Sequence, residues 1–109
     1  MRPPEDEALL RDMLAHAPRA AAGRRREELD TDPALAAALE RSIEVIGEAA
    51  RKVSAGTQES TPKIPWREII GMRNRLVQGY AAVDHDIVWD VASVDIPNLI
   101  ASLERLLDS

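Results

Sequence analysis

The amino-acid sequence predicts an all-α protein, an antiparallel four-helix bundle built by a single domain over residues 1–109. Apolar residues recur at the three- and four-residue spacing of amphipathic helices, and no segment alternates like a half-buried strand. The chain has two Trp, one Tyr and no Phe, so its core must consist of aliphatic side chains that suit helix-on-helix packing. A chain of 109 residues is typical of one domain and gains from self-association, because it buries little apolar surface alone.

The first two predicted helices lie in the N-terminal half. Residues 7–22 carry an Ala- and Leu-rich stripe, which Pro18 is expected to kink or divide and Gly23 to end. A short helical turn is expected at residues 24–29, where three consecutive arginines indicate a surface turn. The strongest helical pattern follows the Asp-Pro pair at residues 32–33, which places a cap before a first-turn proline. Its apolar or small stripe consists of Leu35, Leu39, Ser42, Ile43, Ile46, Gly47, Ala50 and Val53.

The second half of the chain predicts a loop and a third helix. Residues 54–65 are rich in Gly, Thr, Ser and Pro, which indicates a loop. The third helix is predicted over residues 65–80, with Gly79 loosening its end. The two tryptophans, Trp66 and Trp89, are expected to pack in the core or at an interface.

The fourth predicted helix begins at a capping aspartate, either Asp84 or Asp86. Its apolar period continues on both sides of Pro97, so the helix is expected to bend near that residue. Asp95 is expected to cap the half that follows the bend. Together the four helices predict a bundle with short connections.

Composition excludes several classes of site. The chain has no Cys, which excludes disulfides and thiolate metal sites, and its two histidines, His16 and His85, argue against a zinc site. A glutamate row at Glu40, Glu44 and Glu48 predicts a solvated helix face, because the other helices lack the Glu-x-x-His pairs of a di-iron bundle. We therefore predict no cofactor and no metal. No run of 18 apolar residues and no signal peptide occurs, which favours a cytoplasmic protein without membrane contact.

Charge is unevenly distributed along the chain. The formal net charge of −5 argues against non-specific binding of nucleic acid. Residues 63–80 nevertheless hold a single acidic residue, Glu68, among four basic ones: Lys63, Arg67, Arg73 and Arg75. A phosphate-bearing partner would be attracted to this segment and repelled elsewhere. The alternative interpretation of the same charges is a solvated helix face.

The basic segment ends in the sequence Arg-Asn-Arg-Leu-Val-Gln-Gly-Tyr at residues 73–80, which contains the only tyrosine of the chain. It resembles the motif of the HEPN superfamily in the form used by HepT-like toxins, which runs Arg, four residues, His, any residue, Tyr. Arg73 and Tyr80 match that motif, but Gln78 stands at the histidine position. The similarity also covers residues 38–50, 64–74, 80–84 and 87–89.

The resemblance implies a HEPN-like bundle and a metal-independent endoribonuclease, in which the RNA 2′-hydroxyl is the nucleophile. Arg73 would bind and stabilise the phosphate, with Asn74 and Arg75 in support and Arg67 extending the RNA-binding surface. The motif histidine moves protons near neutral pH. The carboxamide of Gln78 binds through hydrogen bonds but does not titrate, so we expect impaired catalysis.

Three alternatives remain open at this point. The glutamine was either introduced to silence a toxic enzyme, or it is native and marks a chain with a non-enzymatic role. That role would be an RNA- or nucleotide-binding module or a scaffold partner for a nucleotidyltransferase. His85 is a third possibility, because it follows the motif closely and could replace the missing histidine. The simpler interpretation of His85 is a surface residue between two carboxylates, those of Asp84 and Asp86.

The family resemblance also implies partners. HEPN proteins form two-fold dimers whose motifs face each other across a cleft. At about 100° per residue, Arg73 and Tyr80 share a helix face whereas Gln78 lies about 140° from Arg73. Either the helix relaxes at Gly79 or a second copy of the chain completes the site. HepT-like toxins are paired with MntA-like minimal nucleotidyltransferases, which transfer AMP from ATP to the motif tyrosine, here Tyr80. The alternative role for Tyr80 is to close the end of the bundle.

Overall fold

The computed structural model of the protein describes residues 2–17, 21–76 and 83–108, except the side chain of Arg73. Every regular element in these ranges is helical, which confirms the all-α class. No described helix has the length and apolar character needed to cross a membrane. The elements are α1 (Pro4–Ala15), α2 (Glu28–Thr31), α3 (Pro33–Lys52), α4 (Ala55–Ser60), α5 (Trp66–Leu76), α6 (His85–Asp90), a π-helical segment (Val91–Asp95) and α7 (Ile96–Leu107).

Helix α3 is the centre of the fold. It begins as the sequence predicts, because the Asp32 carboxylate accepts a hydrogen bond from the amide of Leu35 at 3.1 Å and Pro33 occupies the first turn. Its apolar stripe packs against α1 and α5. A Cβ atom at Gly47 would lie 3.4 Å from the carbonyl oxygen of Ile69. This distance is at the edge of ordinary van der Waals contact, so the backbone of α5, which carries the motif arginines, lies close to α3 at this point.

One apolar cluster joins all the longer helices. Each large aliphatic side chain that it buries contributes about 1.5–3 kcal/mol. Trp66 is buried in the cluster and donates its indole N–H to Thr61 Oγ1 at 3.0 Å, while Trp89 packs against the cluster partly buried. The predicted packing roles of both tryptophans are confirmed. The fully buried members include Leu10, Met13, Leu39, Ile43, Ile46, Val88, Val91, Ile96 and Leu103.

The N-terminal helix is shorter than predicted. Helix α1 ends at Ala15 instead of continuing to residue 22, and Pro18 lies outside the described residues. Gly23 takes a left-handed backbone conformation, with φ of 73°, in the turn before α2. This conformation is easy for glycine and strained for other residues. The helical turn expected at residues 24–29 forms slightly later, as α2.

The predicted loop at residues 54–65 is wrong in its first half, which forms helix α4. Ser54 caps this helix, because its Oγ accepts a hydrogen bond from the amide of Thr57 at 3.4 Å. The cap is stabilised by a buried carboxylate from α1 that composition alone did not indicate. The third predicted helix is confirmed as α5 up to Leu76, and its expected end at residues 77–80, including Gly79, lies outside the described residues.

The buried carboxylate belongs to Asp6, whose exposure is only 3%. It accepts three hydrogen bonds, from the amide of Ser54 at 3.0 Å, from Ser54 Oγ at 2.5 Å and from Thr57 Oγ1 at 2.5 Å. The hydroxyl hydrogen bonds hold the pKa of Asp6 below its ordinary value, although burial alone would raise it. Asp6 thus joins α1 to the junction between α3 and α4.

The fourth predicted helix consists of α6, the π-helical segment and α7. Asp84 caps α6 as predicted, with its carboxylate accepting from the amides of Asp86 at 2.9 Å and Ile87 at 3.4 Å. The expectation that Asp95 caps the second half is wrong, because its carboxylate makes no capping bond and instead pairs with Arg75. Pro97 is the second residue of α7, one residue beyond the end of the π-helical segment. Because a proline has no N–H to donate, the hydrogen-bond spacing of the helix changes locally before it.

Candidate active site

Helix α5 presents the motif because its buried stripe fixes its rotation. Trp66, Ile69, Met72 and Leu76 are all at most 7% exposed, and they hold one side of α5 against the core. The polar residues of the helix therefore point away from the core. Three predicted site residues lie on this exposed side: Arg67, Asn74 and Arg75. The backbone of Arg73 belongs to the same helix, whereas its side chain lies outside the described residues.

Arg75 borders an open groove between α5 and α7. The groove has a volume of about 380 Å³ and also includes Lys63 and Ser102. An Arg75 guanidinium nitrogen lies 3.4 Å from a carboxylate oxygen of Asp95, and the two side chains are 47% and 46% exposed. Exposed ion pairs of this kind contribute about 0–1 kcal/mol. Arg75 can therefore exchange Asp95 for a phosphate at little cost.

The motif continues into residues 77–82, which lie outside the described residues. The roles assigned to Gln78 and Tyr80 consequently stay predictions. Among the described residues, the amide of Asp84 donates to the carbonyl oxygen of Leu76 at 3.0 Å. Asp84 therefore lies at the C-terminal end of α5, and the fully buried Val88 anchors α6 in the core.

His85 is the first residue of α6, and its surroundings differ from those expected. Its Nδ1 atom lies 2.9 Å from Oδ1 of Asp30, a residue of α2. An ionised carboxylate only accepts hydrogen bonds, so Nδ1 carries the proton. The hydrogen bond from His85 is the main cause that lowers the pKa of Asp30, followed by that from Arg26. His85 thus lies at the surface, as expected, and the structure adds that its hydrogen-bond partner is Asp30.

The second oxygen of Asp30 is also occupied. Nη1 of Arg26 lies 2.9 Å from Asp30 Oδ2, and Nε of the same guanidinium lies 2.6 Å from Asp86 Oδ1. Two charged residues nearby in the sequence have separate roles. Asp84 caps α6, and Arg24 pairs with Glu28 and Asp32 at the start of α3. We call Arg26, Asp30, His85 and Asp86 the α2–α6 network.

Sequence reasoning missed this network almost entirely. The i,i+4 spacing of Arg26 and Asp30 was a usable signal, but nothing in the sequence connects Asp30 to His85, 55 residues away. The surface turn predicted for the three arginines is confirmed, and the structure adds that Arg24 and Arg26 are engaged in ion pairs. No three His, Asp or Glu side chains in the described ranges converge as metal ligands would.

Comparison with known proteins assigns the family. Residues 10–106 match the family described as "Ribonuclease HepT-like". The chain is 37% identical over 81 residues to "Putative RNase TTE0752" of Caldanaerobacter subterraneus, covering 74% of this chain and 72% of that protein. It is 37% identical over 81 residues to "Putative RNase MJ0125" of Methanocaldococcus jannaschii, covering 74% and 70%.

A further relative carries the family name itself. The chain is 38% identical over 69 residues to "Probable ribonuclease HepT" of Thermococcus cleftensis, which corresponds to 63% of each protein. No solved structure matches the chain significantly. The family match covers most of the sequence, including α5 with the exposed Arg67 and Arg75 and α6 with His85. This chain belongs to the HepT-like ribonuclease family.

Proposed function

We propose that the protein is the HEPN toxin subunit of a toxin–antitoxin pair and cleaves RNA without a metal ion, more slowly than a chain with the motif histidine. The observation that carries this proposal is the exposed polar side of α5, with Arg67, Asn74 and Arg75 in a chain that is otherwise acidic. Several relatives of the chain bear names that describe them as RNases. A positive surface of this kind attracts RNA through its phosphates.

Arg73 is the principal phosphate-binding residue in this proposal. A guanidinium grips two phosphate oxygens and stays charged at every working pH. Asn74 donates hydrogen bonds beside it, and Arg75 joins when Asp95 releases it. RNA supplies its own nucleophile, the 2′-hydroxyl, so the protein must neutralise the phosphate and move protons.

A homodimer completes the site in this proposal. In a two-fold dimer the same surface faces itself, so the copies of Arg73 and Arg75 from both chains converge on one cleft. Four guanidiniums held together repel one another until an anion enters between them. Such a cleft therefore favours a phosphodiester over an empty state.

The first test measures RNA binding. Arg73→Ala should weaken the binding of a single-stranded RNA at least about ten-fold, because hydrogen bonds to a charged group contribute about 1.5–3 kcal/mol. The slope of log affinity against log salt should become shallower by about 0.7 for each arginine removed. Fluorescence anisotropy over a series of salt concentrations measures both quantities.

Arg41→Ala is the matched control, because Arg41 lies on α3 with its side chain 76% exposed and outside the proposed cleft. This variant should bind RNA with unchanged affinity. Equal losses in the two variants, or an unmodified protein that binds no RNA, would contradict the proposed site.

We further propose that the partner is an MntA-like nucleotidyltransferase, which silences the toxin by modifying Tyr80. The tyrosine oxygen bonds to the α-phosphorus of ATP, its proton is lost and pyrophosphate leaves. The AMP group then places phosphate charge next to Arg73 and Arg75, where the RNA phosphate would bind. The modification thus competes directly with substrate.

The partner proposal predicts a mass change. Incubation of the protein with such a transferase and ATP should add AMP increments to the intact chain, measured by mass spectrometry. Tyr80→Phe should stay unmodified, because Tyr80 is the only tyrosine of the chain. AMP increments on Tyr80→Phe, or none on the unmodified sequence, would contradict the assignment.

A second candidate function is favoured by Gln78, whose carboxamide does not titrate. The chain would then be a non-enzymatic RNA- or nucleotide-binding module, or a scaffold for the transferase. This candidate expects RNA binding that depends on Arg73 without cleavage, even after a histidine is introduced at position 78. RNA cleavage by either sequence decides in favour of the nuclease.

A further inference from the structure

We propose that His85, oriented by Asp30, carries out proton transfer during RNA cleavage in this chain. This inference rests on the proposed nuclease function and deepens it. The observation that carries it is the α2–α6 network, in which Asp30 holds the imidazole through Nδ1 at 2.9 Å. Neither the motif itself nor the comparison with relatives assigns a role to this residue.

The motif segment lacks a group that titrates near neutral pH. Residues 77–82 contain one ionisable side chain, Tyr80, whose ordinary pKa is about 10. The chain has two histidines, and His16 uses its Nδ1 on the carbonyl oxygen of Asp12 within its own helix. His85 is the histidine that the fold brings to the motif.

The backbone sets this position. The hydrogen bond from the amide of Asp84 to the carbonyl oxygen of Leu76 fixes residue 84 at the C-terminal end of α5. His85 follows immediately, as the first residue of α6. It therefore stands where the motif segment rejoins the fold, at the same end of α5 as Arg75.

The side chain is oriented as well as placed. Asp30 is fixed through both oxygens, by His85 on Oδ1 and by Arg26 on Oδ2, and Arg26 is fixed in turn by Asp86 at 2.6 Å. Nε2 of His85 has no hydrogen-bond partner among the described residues, and the side chain is 29% exposed. A carboxylate on Nδ1 selects the tautomer whose Nε2 accepts a proton.

The reaction step follows from that tautomer. Nε2 of His85 takes the proton from the RNA 2′-hydroxyl as the 2′-oxygen forms its bond to phosphorus. The bond between phosphorus and the 5′-oxygen breaks, and the leaving 5′-oxygen takes a proton from water. The hydroxide that remains then takes the proton back from the His85 imidazolium, which restores the neutral base. The products are a 2′,3′-cyclic phosphate and a 5′-hydroxyl end, while Asp30 stabilises the imidazolium that has formed.

A purely structural role for the network predicts different behaviour. Exposed ion pairs contribute little stability, and Arg26 joins α2 to α6 through Asp30 and Asp86 without any contribution from His85. Loss of the imidazole should therefore leave the fold intact. If His85 were only structural, its replacement would also leave the pH dependence of the cleavage rate unchanged.

The test compares cleavage of a mixed-sequence single-stranded RNA by three chains: the unmodified protein, His85→Asn and His16→Asn. Asparagine at position 85 keeps a donor for Asp30 but does not titrate. His85→Asn should lower the rate at least about ten-fold and remove the rise of rate with pH near neutrality. His16→Asn should retain both. Asp30→Asn, a further variant, should lower the rate and shift the pH profile, because the imidazolium loses its counter-charge. Arg26 and Asp86 are the other charged members of the α2–α6 network, and Asp84 precedes His85 in the sequence.

Each remaining outcome gives a decision. Equal cleavage by the unmodified protein and His85→Asn, with the same pH profile, overturns the role of His85 and leaves the nuclease proposal intact. Cleavage by Gln78→His with none by the unmodified protein also overturns the role of His85 and leaves the nuclease proposal intact. If neither the unmodified protein nor Gln78→His cleaves RNA, both the nuclease proposal and the role of His85 are overturned.

Discussion

Replacing Gln78 by His should raise the rate of RNA cleavage on the order of 10²-fold, the lower end of what a general acid–base group typically contributes. The substitution restores a group with a pKa near neutrality at the position where the family motif carries its histidine. It leaves Arg73, the residue that we propose binds the phosphate, unchanged. The measurement is the initial rate of single-stranded RNA cleavage, with the cyclic phosphate end identified by mass spectrometry.

The matched control for this change is Gln78→Asn, which alters the side chain without introducing a titrating group. Its cleavage rate should stay at the level of the unmodified protein. Arg73→Ala combined with Gln78→His should lose most of the gain, because the new imidazole acts on a phosphate that the arginine holds. A Gln78→His protein that binds RNA and cleaves no faster than its parent would remove the catalytic interpretation of position 78.

The same substitution separates the two histidine positions. Once His occupies position 78, the proton no longer has to pass through His85, so His85→Asn should cost little in that background. In the parent background the same change should cost the rate at least about ten-fold. Such non-additivity is the mark of two groups that perform one task. Additive losses would indicate that His85 acts independently of the motif.

The helices were predictable where local chemistry determines them. Asp32 and Pro33 mark the start of α3, Asp84 caps α6, and the apolar period of α5 places Arg67 and Arg75 on the exposed side. Helix α4 escaped prediction because its sequence is rich in loop-forming residues. Its cap is completed by a carboxylate that lies 48 residues earlier in the chain, and pattern reasoning does not detect such tertiary hydrogen bonds.

The site was predictable to a different extent. The exposure of Asn74 and Arg75 follows from helical geometry alone, because the core residues fix how α5 rotates. The pairing of His85 with Asp30 depends on how α2 and α6 meet at the end of the fold, which no local pattern encodes. Arg75 illustrates the same limit, since its partner Asp95 was expected to cap a helix and instead binds across the groove.

Asp6→Ala should lower the free energy of unfolding by about 2–3 kcal/mol, the largest stability effect that we expect from a polar residue of this chain. The substitution leaves the hydroxyls of Ser54 and Thr57 and the amide of Ser54 without their acceptor in a site that is 3% exposed. Removing the acceptor of buried donors costs about 1–3 kcal/mol, and hydrogen bonds to a charged group lie at the upper end. Urea denaturation at pH 7 measures the difference.

The pH dependence of that difference identifies the charge as its source. The folded state holds the pKa of Asp6 below its ordinary value, mainly through the hydroxyls of Ser54 and Thr57. Its contribution is therefore complete above pH about 4, the ordinary pKa of an aspartate, and is lost as the pH falls through the folded-state pKa. The unmodified protein and Asp6→Ala should thus converge in stability on acidification.

Asp12→Ala, an exposed change on the same helix, should stay within about 0.5 kcal/mol of the unmodified protein. A gap between Asp6→Ala and the unmodified protein that persists undiminished at acid pH would mean that lost packing, and not the carboxylate charge, causes the instability.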